Sequence, residues 1–140
     1  MQINSVLVVD DNEADRFYME RMFQMETESC QFFEAFDGQD ALDFISDFEG
    51  KKDQYKENFP PSVIFLDINM PRLDGFEFLD AFTKLKDGDA RYNAIVIMMY
   101  TSSDNEKDMK RAEEFACVKG YIVKPITAED IEKLKKRLLS

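Results

Sequence analysis

Val6-Leu7-Val8-Val9 is an apolar, β-branched run with no polar alternation, the pattern of a strand covered on both faces, as in a parallel sheet. The run ends in Asp10-Asp11. Asn12 then caps a helix predicted from Ala14 to about Met25, whose stripe is a ragged one of Phe17, Met22, Phe23 and Met25. Cys30 to Ala35 follows as a second strand, broken at Asp37-Gly38, and Ala41, Leu42, Phe44, Ile45 and Phe48 give a second helix a clear apolar stripe. Residues 50–61 are charged and closed by two prolines; they are expected to form an exposed, partly helical excursion, longer than the usual connection from a helix to a strand.

The alternation continues to the end of the chain. Ser62 to Leu66 reads as the third strand, Gly75 to Leu85 as the third helix with Phe76, Phe78, Leu79 and Phe82 inward, and Ala94 to Met99 as the fourth strand. Asp104 to Cys117 is expected to be a polar helix with a thin apolar face of Met109, Ala112, Phe115 and Ala116. Gly120 to Val123 is the fifth strand, and Thr127 caps a final helix carrying Ile131, Leu134 and Leu138. Five βα units in sequence predict an α/β fold with a parallel sheet and helices on both faces. Ligands of such sheets sit beyond the C-terminal strand ends, where the strand order reverses.

Composition narrows the chemistry. The chain has 140 residues, a length suited to one domain, and a formal net charge of −11 with no basic stripe, so nucleic acid is not expected as a partner. The two cysteines, Cys30 and Cys117, lie far apart without a CxxC or a histidine companion and read as reduced, buried small hydrophobes, which implies a reducing cytoplasm. No signal peptide is expected before the first strand, and no apolar run approaches the roughly 20 residues that span a bilayer, so no membrane association is expected. With no histidine, Ser-His and Cys-His catalytic pairs and His-ligated zinc are excluded.

The informative anomaly is Ile64-Phe65-Leu66-Asp67, an apolar strand that ends in a carboxylate where the chain turns. Asp10-Asp11 ends the first strand in the same way. Three acids at one rim of a parallel sheet repel each other, and a hard divalent cation is the simplest group that would hold them together. The fourth and fifth strands finish on that rim too, in Thr101 and in Lys124-Pro125. Taken singly, each of these residues has a plainer reading. Asp67, Asp10, Asp11 and Thr101 are all plausible helix caps, with Asn12 competing for the first, and Lys124 could be a surface lysine. Their joint placement favours a site.

These residues carry a resemblance. Val8-Val9-Asp10-Asp11-Asn12, Ala35 to Leu42, Leu66 to Gly75, Tyr100-Thr101-Ser102-Ser103 and Tyr121-Ile122-Val123-Lys124-Pro125 together resemble the receiver domain of two-component response regulators, over essentially the whole chain. The resemblance implies a flavodoxin-like (βα)5 three-layer sandwich with strand order 2-1-3-4-5, spanning residues 1–140 as a stand-alone receiver without an output domain. It implies that Asp67 takes a phosphoryl group from the phosphohistidine of a sensor histidine kinase or His-containing phosphotransfer protein. Asp10, Asp11, Asp67 and the backbone carbonyl of Asn69 would hold Mg²⁺, with Asp11 as the direct ligand and Asp10 acting largely through water. Lys124 would contact the phosphoryl oxygens, Thr101 would supply the switch hydroxyl, and Tyr121 would be the aromatic that swings inward. The signal would leave by the face of the fourth helix, fifth strand and last helix toward a downstream protein target, from a monomer or weak dimer. A cis bond before Pro125 is also implied.

Departures from the family pattern bear on this. The stretch between Thr101 and Lys124 is one residue longer than in common receivers, which makes Ser102 a competing hydroxyl. Lys107, Lys110, Arg111 and Lys133 would populate the output face. Two other readings compete: a Mg²⁺-dependent phosphohydrolase of the haloacid dehalogenase type, and a phosphorylation-independent scaffold. The first wants a second Asp two residues after the nucleophile as general acid, where this chain has Asn69; the complete set of acids, hydroxyl and lysine counts against the second.

Overall fold

The computed structural model describes residues 3–27 and 29–139. Every residue of β1 (Ser5–Val9) and β3 (Val63–Leu66) is buried, because successive side chains feed opposite faces of a sheet covered on both sides. Leu7, Val9, Ile64 and Leu66 enter one core, while Val6, Val8, Val63 and Phe65 enter the other. With β2 (Gln31–Ala35), β4 (Val96–Thr101) and β5 (Val118–Val123) they form one parallel sheet in the order β2-β1-β3-β4-β5. This is the expected flavodoxin-like arrangement.

Two helical layers close the sandwich. Helices α1 (Glu13–Glu26) and α6 (Ala128–Leu139) cover one face, with Met19, Phe23, Ile131 and Leu134 buried against Phe65 and Tyr100. Helices α2 (Gly38–Ser46), α3 (Phe48–Tyr55), α4 (Gly75–Gly88) and α5 (Glu106–Glu113) cover the other. Each fully buried Leu, Ile or Phe contributes about 1.5–3 kcal/mol by leaving water, so the central strands fix the register firmly. Among the described residues, no helix is long and apolar enough to cross a membrane.

Several expectations change. In α1 the inward residues are Met19 and Phe23, whereas Phe17 and Met25 are 60% and 72% exposed. Phe17 and Met25 each lie two residues from a buried position, about 200° around the helix, so the apolar stripe there was misassigned. Residues 50–61 are partly helical, as expected, through α3 and a 3₁₀ turn at Lys56–Asn58, but the segment is not a bare excursion. Phe59 is fully buried, and its ring lies 5.7 Å from Phe44 and 5.2 Å from Phe48 in edge-on contacts, with Tyr55 edge-on to Phe33 at 4.8 Å. It is an aromatic cover for the outer edge of this core. The helix expected over 104–117 runs only from Glu106 to Glu113, and β5 starts at Val118. Cys117 is buried as expected, Cys30 only half-buried, and both are free thiols.

The extra residue before Lys124 also has a location. Ile97 pairs with Val118 but Met98 pairs with Gly120, so Lys119 is skipped as a β-bulge. Beyond it the register is regular to Thr101 opposite Val123, and the Lys124 N–H donates to the Thr101 carbonyl at 2.8 Å. The bulge lies at the start of β5, and the pairing that reaches the rim is undisturbed.

Candidate functional site

The rim is assembled by main-chain ladders that continue past the strands. The Asp10 N–H donates to the Ala35 carbonyl and the Asp67 N–H to the Val9 carbonyl, both at 3.0 Å, which sets Asp10 and Asp67 side by side. Their side chains are 1% and 10% exposed. Asn12 takes the cap of α1, accepting from the Asp15 N–H at 3.0 Å, and Asn105 takes that of α5. Asp10, Asp11 and Thr101 are therefore not the caps of these helices, and the plainer reading falls for them. Asp74 caps α4 in a reciprocal box with Glu77, so Asp67 is not a cap either.

Gly75 is required at the floor of the site. A Cβ there would collide with the Asp67 carbonyl and with Ile68, and the Gly75 N–H donates to the Ile68 carbonyl at 2.8 Å. The turn leading into it carries positive φ at Arg72 (42°) and Leu73 (72°). Arg72 is tied down by Asp37, with Nε 2.9 Å from Oδ2. Sequence reasoning missed this pair. The Lys124–Pro125 bond is cis.

Lys124 reaches into the acids. Its Nζ donates to Asp67 Oδ2 at 3.1 Å and to Asp15 Oδ2 at 2.8 Å, and stands 2.6 Å from Asp10 Oδ2. The Asp10 contact is attractive but off the angle of a hydrogen bond, so this buried oxygen has no hydrogen-bond donor among the described residues. Burial pushes the Asp10 carboxyl above its usual range, with the Lys124 ammonium and the Asn12 N–H pulling the other way. For Lys124, burial opposes the charge, but the surrounding carboxylates outweigh it and raise its pKa. The lysine stays cationic.

The acids fit a divalent cation. One carboxylate oxygen each from Asp10, Asp11 and Asp67 lies within 4.8 Å of the others, comparable to the span of roughly 4 Å across an octahedral Mg²⁺. Asp10 supplies an oxygen without a hydrogen-bond donor among the described residues, and Asp11 is exposed. Asn69 is exposed two residues beyond Asp67. The other oxygen of Asp67, Oδ1, accepts from the Ile68 N–H at 2.7 Å.

Thr101 is fully buried at the end of β4, while Ser102 is exposed. The Thr101 hydroxyl oxygen accepts from the Ser103 N–H at 3.3 Å. Tyr121 is half-buried and donates its phenol to the Ser103 carbonyl. Of the exposed basic residues, Arg111 stacks over Phe76 at 4.1 Å, and Lys133 pairs with Glu129. Tyr100, just beyond the expected fourth strand, belongs to β4, and its buried phenol oxygen accepts from the Ile126 N–H at 3.1 Å.

Two open hollows of about 490 and 510 Å³ are lined by residues such as Asp47, Lys84 and Tyr92, and by Glu49, Lys52 and Arg91, none of them from the acid cluster.

Residues 6–136 match the family model of the response regulator receiver domain. The chain belongs to this family. The chemotaxis protein CheY of Halobacterium salinarum is 35% identical over 120 residues, covering 86% of this chain and 83% of that protein. The crystal structure of a two-component response regulator from Cytophaga hutchinsonii superposes with a TM-score of 0.83 at 26% identity, over 99% of this chain and 98% of that one. The osmosensing histidine protein kinase SLN1 of Saccharomyces cerevisiae is 29% identical over 86% of this chain, but the match spans only 9% of that kinase. The receiver is thus a signalling module, found both in short proteins and as a small part of long ones.

Proposed function

We propose that this receiver accepts a phosphoryl group on Asp67 from the phosphohistidine of a sensor histidine kinase or a His-containing phosphotransfer protein. One observation carries the reading: a buried strand-end carboxylate with an ammonium 3.1 Å from one oxygen and two further acids beside it. A carboxylate oxygen of Asp67 attacks phosphorus, the phosphorus–nitrogen bond to the imidazole breaks with its electron pair returning to nitrogen, and an acyl phosphate results. In-line displacement needs positioning and charge neutralisation more than covalent help. Mg²⁺ would be held by Asp10, Asp11, Asp67 and the carbonyl of Asn69, where it would neutralise charge on the phosphoryl oxygens. Lys124 supplies a second positive charge, and Thr101 turns its hydroxyl to a phosphoryl oxygen.

Asn69 supports a signal over turnover. Its amide cannot protonate a leaving group, which a phosphohydrolase of the dehalogenase type needs at that place. The state of Asp67 would be read at the face of α5, β5 and α6, through Tyr121, by a downstream protein target. The free thiols accord with a cytoplasmic setting, and the net charge of −11 with a protein partner in place of nucleic acid.

The test is incubation with Mg²⁺ and acetyl phosphate, following intact mass and free phosphate together. The expected result is one added phosphoryl group per chain and no sustained phosphate release from a monoester such as p-nitrophenyl phosphate. Continuous monoester turnover, or no adduct, would overturn the reading.

A further inference from the structure

Three carboxylates meet the Lys124 ammonium, and two of them belong to the proposed metal and acceptor set. The third, Asp15, does not: the acid cluster comprises Asp10, Asp11 and Asp67. Asp15 comes from the first turn of α1, where its N–H is fixed by the Asn12 cap, and its side chain is 37% exposed. It accepts from Lys124 Nζ at 2.8 Å. Three residues on, along the same helix face, Tyr18 donates its phenol to the Ile126 carbonyl at 2.8 Å, while Tyr100 holds the Ile126 N–H from the sheet side. The segment Lys124-Pro125-Ile126 is therefore gripped from α1 at two points and from β4 at two, the second being the Lys124 N–H on the Thr101 carbonyl.

We propose that Asp15 is a positioning residue for Lys124, anchoring its ammonium beside Asp67 while the other partners are drawn into phosphoryl transfer; this rests on Asp67 being the acceptor. An ammonium has three N–H groups on a flexible four-carbon stem. When an Asp67 oxygen bonds to phosphorus and Asp10 turns to the metal, both weaken as partners for the lysine. Asp15 has no such second duty. It keeps one N–H, and the remaining two are left directed at the phosphoryl oxygens. An anchored cation loses less freedom in the transition state than a free one.

The chemistry separates this role from simple charge. Asp15 is an anion at the entrance of a site for an anionic donor, so its loss should not weaken donor binding, whereas loss of the anchor should slow the transfer itself. The test compares Asp15→Asn with Glu13→Gln, which removes the same charge from the same helical turn without touching Lys124. Phosphorylation rates are measured against acetyl phosphate concentration at saturating Mg²⁺. In Asp15→Asn the limiting rate is expected to fall about tenfold, the scale of a misplaced catalytic group, with the half-saturating donor concentration unchanged or lower. Glu13→Gln should keep the parent limiting rate. A parent-like limiting rate in Asp15→Asn, or the same fall in both variants, would overturn the proposal.

A second measurement needs no phosphorylation. The Lys124 ammonium is followed by ¹⁵N NMR, with and without Mg²⁺, and its proton exchange with water is expected to be several-fold faster in Asp15→Asn than in the parent. Equal exchange in the two would also overturn the anchor. If the parent takes no phosphoryl group on Asp67, the reading of function fails, and the ammonium exchange alone decides whether Asp15 holds Lys124.

Discussion

The Tyr121 phenol donates to the Ser103 carbonyl at 2.8 Å, fastening β5 to the loop that leaves Thr101. Ser103 in turn gives its N–H to the Thr101 hydroxyl at 3.3 Å and its own hydroxyl to Asp108 of α5 at 2.8 Å. Ser103 thus joins the buried Thr101 hydroxyl to β5 and α5. If Thr101 turns toward a phosphoryl oxygen, the Ser103 N–H loses its acceptor and the loop that holds Tyr121 must adjust. Thr101→Ala is expected to take up a phosphoryl group while the ring resonances of Tyr121 stay where they are in the unphosphorylated protein. A Tyr121 shift as large as the parent's on phosphorylation of Thr101→Ala would contradict this route.

Magnesium should act on stability as well as on chemistry. Binding to the folded acids alone stabilises by mass action, by about 2.7 kcal/mol at one hundred times the dissociation constant. Thermal melts in rising MgCl₂ should therefore show Tm climbing in the parent and much less in Asp11→Asn. An equal climb in both would place the cation elsewhere.

Asp37 is a structural acid with a pH signature. Burial raises its pKa, but the Arg72 guanidinium and the N–H groups of Asp40 and Gln39 outweigh this and hold it below the usual carboxylate range. A depressed pKa means that its stabilisation is complete above the unfolded value of about 3.9 and is lost as pH falls through the lower folded value. Asp37→Asn keeps an acceptor for the α2 cap but loses the charge. In urea unfolding, the parent should lose its advantage over this variant as the pH drops below about 4. Asp37→Ala, which also removes the cap, is expected to cost about 1–2 kcal/mol near neutral pH.

Gly75 is tested by one methyl group. Gly75→Ala drives a Cβ into the backbone of Asp67 and Ile68, which cannot yield without moving Asp67, the proposed acceptor. The expected loss is about 1–3 kcal/mol in denaturant unfolding, typical of overpacking, together with slower phosphorylation. Gly88, whose Cβ position is open, should accept Ala without loss.

What the sequence made legible follows from range. The central strands declare themselves because both faces are buried, so Val6 to Val9 and Val63 to Leu66 carry unbroken apolar runs. Local caps at Asn12 and Thr127 are equally readable, being contacts three residues long. The acids, Thr101 and Lys124 could be placed on one rim because parallel strands all end there. Long-range partners were not visible. Asp15 looks like an ordinary first-turn acid, and only the path of Lys124 across 109 residues of separation makes it part of the site. Phe59 sits among charges and prolines, and its burial depends on Phe44 and Phe48 of the neighbouring helices. Met19 lost to Phe17 in the α1 pattern because exposed aromatics on that helix blur its periodicity.

The central claim is that Asp67 is the acceptor, and its acyl phosphate can be trapped. After treatment with acetyl phosphate and Mg²⁺, borohydride reduces an aspartyl phosphate to the alcohol, and tandem mass spectrometry of peptides covering residues 1–20 and 62–75 locates it. Reduction at Asp67 and at no other acid is the expected result. Reduction at Asp10, Asp11 or Asp74, or an adduct that persists in Asp67→Asn, would contradict the account.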